Sequence, residues 1–235
     1  MLEALPESFV ATREAMHALA EHVLAPARYH SDGHIGLVPA PGGFGTPPFG
    51  DGERARVEGV ELAHERPGTV TRVRITTLGA AAQFLGVPLG APAGLYEPAT
   101  PCVADDPLAP DADAARVLAA WIDLGRTLLD DLRESYAAHD PTAATLWPEH
   151  FDLACELGDT AGGTRANYGA SPGDGAIGQP YLYVGPWDAA RRTGRLGTYG
   201  FGAAITYTEL LAAGDPKGAG MEFLLEGAAL LLGQP

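Results

Sequence analysis

Residues 6–24 place Phe9, Thr12, Met16, Leu19, Ala20 and Val23 on one stripe at a spacing of 3.6, with Glu7, Glu14 and Glu21 opposite. That is the pattern of an amphipathic helix with one face in a core. Pro26 is expected to end it. Strand patterns follow at 34–38, 54–62 and 70–76, separated by a Pro/Gly-rich run at 39–52. In the last of these, Arg72 and Arg74 alternate with Val73 and Ile75, which predicts one buried face. A short helix over 78–85 stops at Gly86, and residues 86–110, with six prolines, read as a linker.

The longest apolar stripe, Leu118, Trp121, Gly125, Leu128, Leu132 and Tyr136, predicts a helix capped by Asp111 and running to about residue 138. Strand patterns return at 150–157, 165–170, 181–184 and 201–205. Thr206 and Glu209 then form a T-x-x-E capping box for a helix ending at Gly214, and a last helix covers 219–232. The expected class is α+β, with antiparallel sheets packed against amphipathic helices in a single compact domain over 1–235. The element order repeats: a long helix, a strand opening His-[Ile/Phe]-x-Leu at His34 and again at His150, an Arg-bearing strand, a strand ending Ile-Thr, and a short helix. Two pseudo-repeated halves, 1–100 and 105–235, joined by the Pro-rich segment, are therefore expected.

Charge narrows the partners. Thirty acidic against fifteen basic residues give a net charge of -15, the wrong sign for a surface that neutralises nucleic-acid phosphates or anionic lipid. No nucleic acid and no membrane is expected as a partner. The most apolar stretch, 223–232, is shorter than the ~20 residues of a membrane span and is interrupted by Glu226. The first twenty residues carry three glutamates and lack a basic n-region. Two cysteines, Cys102 and Cys155, make no C-x-x-C pair. A reduced, cytoplasmic protein is the expectation.

Most motifs dissolve on inspection. Gly169-Ala-Ser171-Pro-Gly173 matches G-x-S-x-G, but no histidine follows His150 to complete a triad, and the following residues are Gly/Pro-rich rather than helical. Gly173-Asp-Gly175-Ala-Ile-Gly178 matches G-x-G-x-x-G, but a strand pattern follows where a helix N-terminus is needed. His17 and His22, five apart on an α-helix, should flank its apolar face on opposite sides and so cannot share an ion. His30-x-Asp32-x-His34 is the best local metal candidate if extended, yet Asp32-Gly33 is an ordinary turn signal. No metal and no cofactor is expected.

One constellation survives. Alternation over 150–157 puts Phe151, Leu153, Cys155 and Leu157 on one face and His150, Asp152 and Glu156 on the other. On the next aromatic strand Tyr181, Tyr183 and Trp187 project to one side, with Leu182 and Val184 opposite. If the two strands are neighbours, they line a small-molecule pocket, joined by His34 from the first half and by Arg165 and Asn167 as anion or hydrogen-bond contacts.

The tracts L-W-P-E-H-F-D-L-A, A-N-Y-G-A-S-P-G-D and P-Y-L-Y-V-G-P-W resemble an uncharacterised family from high-GC bacteria along the whole chain, in keeping with fourteen arginines to one lysine. This resemblance implies no activity. Over about eight residues W-x-x-H-F-D-L is also similar to the metal-ligand segment of mycothiol-dependent maleylpyruvate isomerase-like proteins. Thr145 and Glu149 stand where that family's ligands would be, so neither the metal nor the activity is implied here. The sequence thus points to a protein that binds a small organic ligand, with His150 as a general acid or base oriented by Asp152 if it is an enzyme. The rival reading is a non-catalytic interaction or scaffold protein acting as a homo-oligomer.

Overall fold

The computed structural model describes residues 2–234. The first half opens with helix α1 (Phe9–Leu19), a π-helical turn at Ala20–Leu24 and helix α2 (Ala25–Asp32). A meander follows: β1 (Val38–Ala40), β2 (Gly43–Gly45), β3 (Arg54–Glu58), β4 (Glu61–Arg66) and β5 (Thr69–Arg74), closed by helix α3 (Leu78–Leu85). The second half begins with helix α4 (Ala112–Ser135). Its meander is β6 (Thr145–Trp147), β7 (Asp152–Leu157), β8 (Ala166–Ser171), β9 (Tyr181–Pro186) and β10 (Ala203–Thr206), followed by helices α5 (Tyr207–Ala212) and α6 (Pro216–Leu232). The fold is α+β, with two five-stranded antiparallel sheets whose strands run in sequential order, β1 to β5 and β6 to β10.

The halves therefore share one plan: helix, antiparallel meander, helix. Both closing helices start on a threonine. Thr77 Oγ1 accepts the Ala80 N–H, while Thr206 and Glu209 complete a capping box around the first turn of α5. Two compact units result. The first comprises Ala4–Ile122 with Leu146–Phe151, and the second Met1–Glu3, Asp123–Thr145 and Asp152–Pro235, so the division runs through α4. Among the described residues no helix is long and apolar enough to cross a membrane.

Several sequence expectations are corrected. Pro26 does not end the first helix. It sits in the first turn of α2, just after the π turn, where the hydrogen-bond register changes and its missing N–H has the least to break. The expected strand at 34–38 is loop until Val38, and the expected strand over 54–62 is a hairpin that turns at Gly59, whose φ of 58° suits a tight connection. β5 has no buried face. It is the outer strand of its sheet with all six residues exposed, Val73 at 36%, and Ile75 is buried only beyond the strand's end.

In the second unit one sheet face is covered by helices through close approach at small residues. A Cβ at Gly125 of α4 would lie 2.6 Å from Ala170 Cβ on β8, and one at Gly227 of α6 would lie 2.7 Å from Val184 Cγ2 on β9. Leu128 and Leu132 of α4 and Tyr136 just beyond its end are buried to within 1%, as their stripe predicts. The opposite face of this sheet carries the residues singled out from the sequence.

Candidate functional site

The two strands whose adjacency would make a pocket are separated by β8, which pairs with β7 on one side and β9 on the other. Asp152 and Tyr183 meet nevertheless. The Tyr183 hydroxyl donates to Asp152 Oδ2 in a short hydrogen bond, because the residue between them, paired with both Ala154 and Tyr183, is Gly169. The tyrosine ring lies over that bare backbone: a Cβ at Gly169 would be 2.7 Å from the hydroxyl oxygen and closer still to the ring. Burial first, and the Asp152 carboxylate second, hold the Tyr183 phenol far above its ordinary range, so it remains a donor. Alongside it, Tyr181 donates to Asp174 Oδ2 at 2.6 Å, and Phe201 stacks on Tyr199 at 5.4 Å while contacting both strand tyrosines at 6.1 Å.

Further along the same face Arg165 holds Glu156, Asp140 and the Gly158 carbonyl, with its guanidinium 5.9 Å from the Trp187 ring. Trp187 in turn donates to Asn167 Oδ1 at 2.8 Å. Arg165, Asn167 and Trp187 thus form one cluster, and Asp152, Tyr181 and Tyr183 another. In both, polar groups are engaged by one another. Cys155 faces the helix side, where burial pushes its thiol up to about 12, the inert state of a core cysteine. Ser171 ends β8, 3% exposed, and accepts the Gly173 N–H in a turn rather than opening a helix.

His150 and His34 both belong to the first unit and neither lies on a strand. Phe151 takes a left-handed φ of 52°, which breaks the alternation at the start of β7, so the pattern that put His150 and Asp152 on one face does not extend to His150. His150 is exposed in the turn before the strand. His34 is exposed as well, its N–H donating to Asp32 Oδ1, and His30 and Asp32 lie on the last turn of α2 rather than on an extended segment. Among the described residues no three His, Cys, Asp or Glu converge as metal ligands.

A polar stripe that the periodicity conceals runs through the first unit. Glu21, placed by 3.6-residue spacing on the solvent side, is 0% exposed inside the π turn, and His22 is 1% exposed. The Glu21 carboxylate accepts the Ala99 N–H, the Thr100 N–H and the Thr100 hydroxyl at 2.9, 2.8 and 2.5 Å. His22 Nδ1 accepts from Ala91 N–H, which leaves the proton on Nε2 to donate to the Thr100 carbonyl at 2.9 Å. The widened turn also brings both imidazoles to one carboxylate, His17 Nε2 at 3.7 Å and His22 Nε2 at 4.0 Å from Glu21 Oε2. The 100° steps of an α-helix do not carry through a π turn. Residues 90–100 are thereby stapled to the helix. Arg13 NH1, Tyr96 OH and Glu149 Oε2 in this unit are buried without a hydrogen-bond partner among the described residues.

His17 stacks on Phe151 at 5.2 Å and bonds the Pro148 carbonyl. Burial, the largest influence, lowers its pKa from 6.5 despite the nearby Glu21. The folded state therefore binds fewer protons than the unfolded chain as pH falls below 6.5, and the contribution of a neutral His17, present above 6.5, is lost on acidification. Between about pH 7 and pH 5 the wild type should lose more stability than a His17→Gln variant, measured by urea denaturation at each pH. Equal losses would show that His17 is not part of the acid response.

A cavity of about 240 Å³ opens on the helix side of the second unit, between β9, β10, α6 and the 3₁₀ turn Gly194–Gly197. Val184, Leu196, Ala203, Phe223, Gly227 and Leu230 make its apolar lining, and Thr198, Arg195 and Glu226 its polar groups. No family model, curated protein or solved structure matches this chain. Nothing in the one-dimensional pattern marks the cavity, because its walls are ordinary apolar side chains of β9, β10 and α6 that converge only in the packed chain.

Proposed function

We propose that the protein binds a small organic molecule in the cavity beside β9. The observation that carries this is the cavity itself: apolar walls contributed by a strand and a helix, with a few polar groups at one side, which is the make-up of small-ligand sites. β9 is the strand expected to line a pocket, but Val184 lines it, while Tyr181 and Tyr183 face the other way with their hydroxyls engaged. The proposal is binding rather than catalysis. The titratable groups at the cavity are Arg195 and Glu226, which pair with each other, and neither is oriented by a further polar partner as a general acid or base would be.

A thermal-shift screen of small organic compounds tests this. A ligand at about 100 times its Kd adds about 2.7 kcal/mol, roughly 5 to 10 °C for a chain of this size. A hit whose effect disappears in Ala203→Leu, which fills the cavity, supports the reading. A melting temperature that follows protein concentration and no compound would instead support self-association.

A further inference from the structure

We infer that the ligand of this cavity is a small carboxylate with a compact apolar body, bound through the Arg195 guanidinium; the inference rests on the cavity being a ligand site. The chain has fifteen basic residues against thirty acidic ones, yet three of its arginines, Arg191, Arg192 and Arg195, stand within five positions on the segment joining β9 to β10. Little of that charge is compensated. Arg192 gives its Nε and NH1 to the carbonyls of Pro186 and Gly200, which are neutral. Arg191 is exposed and has no ion-pair partner among the described residues, and Asp188 turns its Oδ1 to the Ala190 N–H. Only Arg195 meets a carboxylate, NH1 to Glu226 Oε2 at 2.5 Å.

That single bond leaves the other edge of the guanidinium, Nε and NH2, for a second acceptor. This edge is the fork that takes a carboxylate through two parallel hydrogen bonds. A ligand carboxylate can therefore bind Arg195 without displacing Glu226, on a segment whose three arginines outnumber its one acid, Asp188. Thr198 is an uncharged polar residue of the lining, and Val184, Leu196, Phe223 and Leu230 receive the apolar part. A cavity of about 240 Å³ limits the ligand to a small molecule, of the order of a six-carbon acid.

The test is a calorimetric titration of the full-length protein with hexanoate, hexanol and hexylamine, which share an apolar body and differ in head group. Hexanoate should bind best. Arg195→Gln, at an exposed position, should weaken it about two- to fivefold, the value of an ion pair made by a side chain that is 74% exposed, and leave hexanol unchanged. Leu230→Asp, also exposed, should weaken hexanoate by adding a like charge at the rim, and Ala203→Leu should abolish all binding. Hexanol or hexylamine binding as tightly as hexanoate, or hexanoate indifferent to Arg195→Gln, overturns the carboxylate assignment while the cavity stands if Ala203→Leu still blocks binding. Hexanoate binding that survives Ala203→Leu overturns both. No binding by any of the three overturns the carboxylate assignment, and the compound screen then decides the cavity separately.

Discussion

Glu21→Ala should destabilise the protein by roughly 3 to 5 kcal/mol, since a hydrogen bond to a charged group is worth about 1.5 to 3 kcal/mol and the three lost here have part-buried donors. Three donors lose their acceptor at once: the Ala99 and Thr100 N–H groups and the Thr100 hydroxyl. The loss should also be local in kind. Residues 90–100 have no helix or strand of their own, so their order depends on the Glu21 carboxylate and on the His22 contacts to Thr100 and to the Ala91 N–H. Amide hydrogen exchange there should quicken more than in α1 or β3. Glu14, on the same helix but exposed, is the control, and Glu14→Ala should stay within about 0.5 kcal/mol of wild type. A Glu21→Ala protein with wild-type denaturation and unchanged protection over 90–100 would show that the staple is ornamental.

The same stretch shows where one-dimensional reasoning stops. The α+β class, the stripe of α4, the capping box at Thr206 and the alternation of β7, β8 and β9 are all legible because each is a regular period or a short capping signal. Sequential strand orders in both sheets agree with the repeated element order read from the sequence. A π turn is one extra residue in a helical turn and leaves no mark in the pattern, so Glu21 looks solvated and the 86–110 segment looks like a linker. β2 and β6 have three residues each, too few for alternation to register. Alternation carried back from Asp152 puts His150 on the same face, but β7 begins two residues later than the pattern, after a left-handed Phe151 that a bulky apolar side chain does not advertise. The cavity leaves no mark in the pattern for a different reason: it is a space between β9, β10 and α6, and volume is a property of the packed chain.

Gly169 is the position where a single added methyl should do most damage on the sheet's other face. In the G-x-S-x-G tract it looks like part of a motif, but its role is spatial: it lets the Tyr183 ring cross β8 and place its hydroxyl on Asp152. Gly169→Ala should cost about 1 to 3 kcal/mol as overpacking. Displacing the ring also breaks a hydrogen bond to a carboxylate that is 6% exposed, worth about 1.5 to 3 kcal/mol. Gly169→Val should exceed either alone. A double-mutant cycle separates this from a generic penalty for a side chain in a strand. If the ring is what the methyl meets, Gly169→Ala should become much milder in a Tyr183→Ala background, with a coupling of about 1 to 3 kcal/mol. Additive losses in urea denaturation would mean that the ring does not rest on Gly169 in solution. Alanine has an ordinary propensity for extended backbone, and Gly169 does not have a left-handed φ, so backbone strain cannot supply the difference. The sign of the coupling therefore reads directly on whether a bare backbone position, rather than strand adjacency, is what joins Asp152 to Tyr183.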